Sequence, residues 1–110
     1  ALLGTGFVGA VRAPLDAIIG AINSVRASAA SQASGADRSA RRPVVVAIDI
    51  PSGLDADTGR PCNATIEADL TITMAARKVG FDAPNAGRYT GRVVLVDIGA
   101  PRTLLEPTPE

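Results

Sequence analysis

The sequence contains no histidine and no tryptophan, and aromatic residues make up 3% of its 110 residues. Without histidine, a Ser-His-Asp triad and a histidine-ligated zinc site are excluded within these residues. Cys62 is the single cysteine, so no disulfide can form inside the chain and a reducing cytoplasm is the expected location. Because aromatic residues are scarce, the core has to be built from Val, Ile, Leu and Ala.

Net charge is also lacking, since eleven Lys and Arg residues balance eleven Asp and Glu residues. Such a balance provides no overall field for a nucleic acid or an anionic membrane, so neither is expected as a partner. No apolar run reaches the roughly 18 residues of a membrane-spanning helix. The hydrophobic content of 46% is typical of a globular protein, and this length allows at most one small domain.

The periodicity of the apolar residues predicts an α/β pattern. A helix is expected from Pro14 to about Arg26, because apolar residues recur there at spacings of three and four and proline suits a first helical turn. Residues 28–42 are rich in small and charged residues and predict a mobile surface insertion. Strands are predicted at residues 1–3, 44–48, 66–74 and 93–96, and residues 102–110 predict a tail or linker.

Asp49 is the strongest candidate for chemistry. It follows an unbroken apolar strand that is expected to be covered on both faces. Pro51 stops that strand, and the carboxyl ends of parallel strands are where ligands bind. Desolvation beside the strand is expected to raise the pKa of Asp49 toward a range useful for acid/base chemistry. The alternative is a carboxylate that only caps the turn before Pro51.

A glycine-rich segment lies between the first predicted strand and the helix. Gly4-Thr-Gly-Phe-Val-Gly has the spacing Gly-x-Gly-x-x-Gly. This is a weak dinucleotide-binding signal, because the acid expected about 20 residues later is missing and Asn23 lies in that region. The alternative is a tight turn that needs glycine for its backbone angles.

Blocks of sequence along nearly the whole chain resemble the YjeF N-terminal domain family, whose enzymatic members are NAD(P)H-hydrate epimerases. The blocks, in the family's order, are Ala-Leu-Leu-Gly-Thr-Gly with Val-Arg-Ala-Pro-Leu, then Asp-Ile-Pro-Ser-Gly-Leu-Asp-Ala-Asp-Thr-Gly, then Ala-Asp-Leu-Thr-Ile-Thr-Met with Lys-Val-Gly, and finally Gly-Arg-Val-Val-Leu-Val-Asp-Ile-Gly-Ala-Pro. The resemblance implies a three-layer α/β/α sandwich with a Rossmann-like sheet. Residues 1–101 would be the C-terminal part of that domain.

The resemblance also implies roles for individual residues. Asp49 would contact the damaged nicotinamide ring of NAD(P)HX as the acid/base group that interconverts its R and S epimers. Ser52 would contribute an oxygen to a bound potassium ion. The glycine-rich turn would line the substrate with amides facing its phosphates. The residues of that turn are Gly4, Thr5, Gly6, Phe7, Val8, Gly9 and Ala10.

Domains of this family are longer than the chain, and their first half carries an asparagine- and glycine-rich loop without a counterpart here. The chain is therefore expected to be a fragment that holds part of the substrate pocket and of the cation site. A homodimer and a fused dehydratase domain are further partners that the family suggests. Two other functions stay open: a non-catalytic dimerising or RNA-associated scaffold, and part of a bifunctional epimerase–dehydratase.

The remaining polar residues are given structural interpretations. Asp55 and Asp57 precede Thr58-Gly59 and are interpreted as turn residues, although they could be read as a metal pair. Lys78 is interpreted as a solvated lysine, with a place at the rim of the active site as the alternative. Cys62 is interpreted as an ordinary, semi-buried thiol.

Overall fold

The computed structural model describes residues 9–32 and 43–105, with the backbone alone for residues 29–32. These residues form an α/β arrangement with a parallel three-stranded sheet in the order β1-β2-β3. The elements are α1 (Leu15–Gln32), β1 (Val46–Ile48), β2 (Leu70–Met74), a 3₁₀ helix (Val79–Asp82), α2 (Gly87–Thr90), β3 (Arg92–Val96) and α3 (Arg102–Leu105).

Helix α1 begins where the sequence predicted it and ends later. The Pro14 carbonyl accepts the Ile18 amide at 3.1 Å, so proline stands directly before the first residue of the helix. The helix continues to Gln32, which makes the first five residues of the predicted insertion helical. Arg26 therefore lies inside the helix, where it pairs with Asp69 at 2.9 Å. Residues 33–42, like the predicted strand at residues 1–3, lie outside the described ranges.

The strands pair in one parallel register. Ala47 of β1 lies opposite Thr71 of β2, and Thr71 lies opposite Val93 of β3. Residues paired in this way share a face of the sheet. Strand β3 agrees with its prediction to within one residue, whereas β1 and β2 are shorter than predicted.

The two faces of the sheet differ in burial. On one face Thr71 and Thr73 have no exposed surface. The opposite face includes Val46 and Ile48, which are 45% and 48% exposed. In the described residues β1 is therefore covered on one face, where their helices pack, and the cover expected on its other face stays a prediction.

Two apolar clusters cover the buried face. The first joins α1 to the sheet and contains Val11, Ile19, Ala47, Ile66 and Ala68. The second contains Ile50, Leu54 and Phe81, with Tyr89 and Val93 packed against it. The described residues thus form two layers, and the third layer stays a prediction.

The end of the described chain is helical as well. The predicted tail begins with α3, whose four residues are all exposed. Residues 106–110 lie outside the described ranges. None of the described helices combines the length and the hydrophobicity that a bilayer crossing requires.

Candidate active site

Strand β1 ends in a strained three-residue turn centred on Asp49. The Asp49 amide still donates to the carbonyl of Ile72 on β2, at 2.7 Å, and the next amide, of Ile50, folds back onto the carbonyl of Ile48 at 2.9 Å. The φ angle of Asp49 is 69°. Positive φ in such a γ-type turn is rare and strained, although aspartate tolerates it better than most residues. Strain of this kind is typical of functional sites.

Strand β2 ends in the same way. The Ala75 amide donates to the carbonyl of Val96 on β3, at 3.1 Å, and the Ala76 amide folds back onto the carbonyl of Met74 at 2.8 Å. Ala75 has a φ angle of 65°. The second turn directs the chain into Arg77 and Lys78, next to the first turn.

The Asp49 carboxylate is held by three donors that meet at one oxygen. Its Oδ1 accepts the hydroxyl of Thr73 at 3.1 Å and the amide of Met74 at 3.4 Å. The Nζ of Lys78 lies 3.0 Å from the same oxygen. The Asp49 side chain is 22% exposed, so it is reachable from solvent while most of it is covered.

These contacts reverse the expected change in pKa. Burial raises the pKa of Asp49, but the hydrogen bonds from Lys78 and Met74 and the charge of Lys78 outweigh burial. The pKa therefore lies below its ordinary value of 3.8, and the prediction of a raised pKa is wrong. Asp49 is therefore a carboxylate at neutral pH.

Lys78 is not the solvated lysine that the sequence suggested. Its side chain is 25% exposed, and Nζ also donates to the carbonyls of Met74 and Ala76 at 3.4 Å and 3.3 Å. The sequence favoured a solvated lysine over a place at the rim of the active site, because its partner, Asp49, is remote in the chain. The signal that could have found it is that Asp49 and Lys78 each follow the end of a neighbouring parallel strand.

Ser52 lies three residues after Asp49, in the loop that follows β1. It is buried, at 6% exposed, and its carbonyl accepts the Ile66 amide at 2.9 Å. It lines a cleft of about 270 Å³ beside β1 whose other walls are apolar: Ile22, Val45, Val46, Ala47, Ile48, Ile50 and Ile66. The described part of the cleft thus supplies one side-chain oxygen, which alone does not form a hard-cation site.

Of the glycine-rich turn, the structure describes Gly9 and Ala10, which are both exposed. Gly4, Thr5, Gly6, Phe7 and Val8 lie outside the described ranges. Gly9 has a φ angle of 105°, a backbone conformation that favours glycine. The next residue, Val11, is fixed by Asn63, which accepts the Val11 amide at 2.8 Å and donates to its carbonyl at 2.9 Å. Sequence reasoning missed Asn63, which ties the turn to the loop that follows Asp49.

Asn23 has a structural role. Its side chain donates to the carbonyl of Thr65 at 2.8 Å and accepts the amide of Glu67 at 3.0 Å. Both bonds hold α1 against the segment that leads into β2. In the region where a dinucleotide-binding fold carries an acid, this chain therefore has a packing contact.

The interpretation of Asp55 and Asp57 as turn residues is confirmed. Oδ1 of Asp55 accepts the amides of Asp57 and Thr58, each at 2.8 Å. The amide of Thr58, followed by that of Asp57, lowers the pKa of Asp55. No group of three potential metal ligands among His, Cys, Asp and Glu occurs in the described residues.

Cys62 is the semi-buried thiol that the sequence suggested. It has intermediate exposure, and its Sγ donates to the carbonyl of Ala64 at 3.0 Å.

Comparison with known proteins agrees with the resemblance in the sequence. The family model described as YjeF-related protein N-terminus matches residues 1–80. An NAD(P)H-hydrate epimerase of Rhodopirellula baltica is 48% identical over 60 residues, which are 54% of this chain and 25% of that protein. A bifunctional NAD(P)H-hydrate repair enzyme Nnr of Salinibacter ruber is 36% identical over 110 residues, which are 100% of this chain and 17% of that protein.

For a further relative, the match includes a larger share of the relative's length. The NAD(P)H-hydrate epimerase of Pirellula staleyi is 34% identical over 108 residues, which are 96% of this chain and 40% of that protein. The chain thus spans between 17% and 40% of the length of these three relatives.

Proposed function

Because this chain belongs to the family of YjeF-related protein N-terminal domains, we propose that it supplies the acid/base group of an NAD(P)H-hydrate epimerase. The reaction would interconvert the R and S epimers of NAD(P)HX, and Asp49 would carry the proton. The observation that carries this proposal is the Asp49 carboxylate at the end of β1, with Oδ1 held by three donors. The names of the relatives support the same reaction.

The chemistry of the substrate explains the need for such a group. Carbon 6 of the hydrated nicotinamide ring bears a hydroxyl and is bonded to the ring nitrogen. Inversion at that carbon proceeds either by loss of the hydroxyl or by opening of the ring. Loss of the hydroxyl begins with protonation of the leaving oxygen, whereas ring opening begins with removal of the hydroxyl proton.

Asp49 starts as a carboxylate, because its pKa is lowered, and it is therefore in the form that ring opening requires and not in the acid form that loss of the hydroxyl requires. The carboxylate accepts the hydroxyl proton, a carbonyl forms at carbon 6, and the bond from carbon 6 to nitrogen breaks with its electron pair on nitrogen. That pair is delocalised into the ring carboxamide. Rotation about the bond between carbons 5 and 6 then presents the opposite face of the carbonyl. Nitrogen adds back to that face, and Asp49 returns the proton to oxygen.

Potassium is proposed as a ligand on the strength of the resemblance and of the buried position of Ser52. The described residues do not by themselves form a site for it, so none of the proton transfers is assigned to the ion. Glycine-turn residues 4–10 are proposed to bind the substrate. The two hydrogen bonds between Val11, which follows that turn, and Asn63, in the loop that follows Asp49, support this proposal.

The test is the Asp49→Asn variant in the full-length polypeptide, with the rate of interconversion of the NAD(P)HX epimers as the readout. Asparagine tolerates the positive φ of this position, so the fold is retained. Loss of the acid/base group is expected to lower the rate by about 10²-fold or more. Asp57→Asn is the matched control, because it makes the same change at an exposed position of the same loop. Equal rates in wild type and Asp49→Asn would rule out this role for Asp49.

The route is tested in ¹⁸O-labelled water. Loss of the hydroxyl would introduce one labelled oxygen from solvent at each inversion. Ring opening keeps the original oxygen, so inversion is expected to be faster than incorporation of label. Mass spectrometry measures the incorporation of label. Incorporation at the same rate as inversion would contradict the ring-opening route.

A second candidate function is part of a bifunctional epimerase–dehydratase, favoured by the relative named as a bifunctional repair enzyme. It keeps the same role for Asp49 and adds a dehydratase domain as partner. The non-catalytic scaffold is disfavoured by the strained, carboxylate-bearing turn, since a scaffold has no need for it.

We also propose that residues 1–101 belong to a three-layer domain that acts in the cytoplasm. The apolar residues Val46 and Ile48 support the third layer, because parallel strands are normally covered on both faces. The single cysteine supports the location.

A further inference from the structure

Lys78 is held in place by acceptors that match its donors one for one. An ammonium group has three N–H donors and no acceptor. Nζ of Lys78 meets the carboxylate of Asp49 at 3.0 Å and the carbonyls of Ala76 and Met74 at 3.3 Å and 3.4 Å. Both carbonyls belong to the strained turn at the end of β2. The lysine therefore has a fixed direction, unlike an ordinary surface lysine.

The two oxygens of Asp49 are not equivalent. Oδ1 takes all three donors: the Thr73 hydroxyl, the Met74 amide and the Lys78 ammonium. Oδ2 accepts no hydrogen bond from the described residues. A proton that arrives at this carboxylate is therefore carried by Oδ2, because Oδ1 already faces three donors.

We propose that Lys78 is a positioning residue that, together with Thr73, anchors Oδ1 of Asp49 and so leaves Oδ2 as the oxygen that exchanges the proton with the substrate. This inference rests on the proposed function and adds to it which atom reacts and which side chain aims it. Lys78 itself donates no proton to the substrate. The charge and the fixed direction of the Lys78 side chain serve to hold Oδ1 of Asp49 in place.

The local structure shows why this residue reaches Asp49. The turn at Ala75 brings the chain back over the end of β2, and the segment after Lys78 is fixed by the bond from the Gly80 amide to the Ala56 carbonyl at 2.7 Å. In the described part of the chain, Lys78 is the one charged group in contact with Asp49. Thr73 and Met74 of β2 contribute neutral donors.

The test compares Lys78→Met, Lys78→Arg and Arg77→Met in the full-length polypeptide. Lys78→Met keeps the length of the side chain and removes its charge, and the expected loss in kcat is about 10- to 100-fold with little change in KM, as for a misplaced reacting group. Lys78→Arg restores a permanent charge and N–H donors, so most of kcat is expected to return. Arg77→Met is the matched control, because Arg77 pairs with exposed Asp82 and not with Asp49.

A second readout is independent of activity. The pKa of Asp49, followed by the ¹³C chemical shift of its carboxyl carbon, is expected to rise in Lys78→Met and to stay unchanged in Arg77→Met. A residue with a merely structural role would alter stability without moving this titration selectively.

The outcomes separate this inference from the function on which it rests. If wild type does not epimerise NAD(P)HX, the proposed function falls, while the carboxyl titration still reports whether Lys78 controls Asp49. If wild type is active and Lys78→Met retains its kcat and the Asp49 titration, the positioning role is overturned alone. An inactive Lys78→Arg that is folded, with an unchanged Asp49 titration, would also overturn it, because residue 78 would then act as a proton donor itself.

Discussion

Asp49 and Ala75 occupy equivalent positions at the ends of neighbouring strands, with φ angles of 69° and 65°. Each amide completes the ladder to the next strand, and each residue is the centre of a three-residue turn. The first turn presents a carboxylate and the second returns the chain so that Lys78 meets it at 3.0 Å. The candidate site is thus built by repeating one strained backbone turn on two adjacent strands.

Ala75 stores strain that glycine would relieve. A left-handed backbone costs an L-residue about 1–2 kcal/mol, while glycine adds about 0.4–1 kcal/mol of unfolded-state entropy. Ala75→Gly is therefore expected to leave the free energy of unfolding equal or up to about 1.6 kcal/mol higher. Ala75→Val is expected to lower it, because β-branched residues adopt positive φ with most difficulty. Urea unfolding measures both.

The matched control for Ala75 is its neighbour. Ala76 is exposed and is not among the residues with positive φ, so Ala76→Gly is expected to destabilise the fold. If Ala75→Gly and Ala76→Gly destabilise equally, the strain at Ala75 does not matter for stability.

Gly80 fixes the segment that carries Lys78. A Cβ at Gly80 would lie 2.5 Å from the amide nitrogen of Gly59 and 2.7 Å from the carbonyl oxygen of Asp55. Gly80→Ala is therefore expected to lower the free energy of unfolding by about 1–3 kcal/mol, the usual cost of overpacking. Gly87→Ala is the control, since a Cβ at that position meets no atom within 4 Å. Thermal unfolding that is the same for both variants would contradict the close approach of the two backbone segments.

Local patterns predicted the local features of this fold. Apolar periodicity predicts the start of α1 and strand β3. The preference of aspartate side chains for hydrogen bonds to nearby backbone amides predicts the turn at Asp55. The sequence also predicts that Asp49 ends a strand, because Pro51 stops the apolar run. These features depend on residues a few positions apart.

Contacts between distant residues could not be predicted in the same way. Which face of β2 is buried depends on where α1 packs, so the burial of Thr71 and Thr73 is not visible in their own segment. The direction of the pKa change at Asp49 depends on Lys78, and that pairing depends on the positive φ of Ala75, an alanine that has no preference for it.

The stability of the fold should depend on the ionisation of Asp49. Its folded pKa is below the ordinary value of 3.8, so the stability that it contributes is fully present above that value and is lost as the pH falls through the folded pKa. The difference in free energy of unfolding between wild type and Asp49→Asn is expected to favour wild type at pH 6 and to shrink as the pH is lowered below the ordinary value. In a Lys78→Met background this pH dependence should weaken. A difference that is constant from neutral to acidic pH would show that the pKa of Asp49 does not change on folding.

Ser52→Ala tests the proposed potassium ligand. Removal of one oxygen ligand is expected to weaken potassium binding by about 10-fold or more, a scale seen when groups that support a metal site are lost. The measurement is a calorimetric titration of the full-length polypeptide with potassium or thallium(I). Ser24→Ala, on the exposed side of α1, is the control. An unchanged affinity in Ser52→Ala would exclude this residue as a ligand.

The half-exposed face of the sheet predicts self-association of residues 1–110. Ile48 is 48% exposed and Val94 and Val96 are 36% and 39% exposed, all on the face opposite the helices. Contiguous apolar surface of this kind favours association. Sedimentation velocity is expected to show oligomers whose proportion rises with concentration. The double variant Ile48→Thr/Val94→Thr should shift the distribution toward monomer, because threonine keeps the β-branched shape that suits a strand and adds a hydroxyl.

Val79 provides the control for this prediction, because it separates exposure from position. It is 77% exposed, more than any residue changed in the double variant, but it lies in the 3₁₀ helix and not on the sheet face. If exposure alone drove association, Val79→Thr would reduce it at least as much as the double variant does. We expect Val79→Thr to sediment like wild type. A wild-type chain that stays monomeric at every concentration, or a double variant that associates as strongly as wild type, would contradict the role of this face.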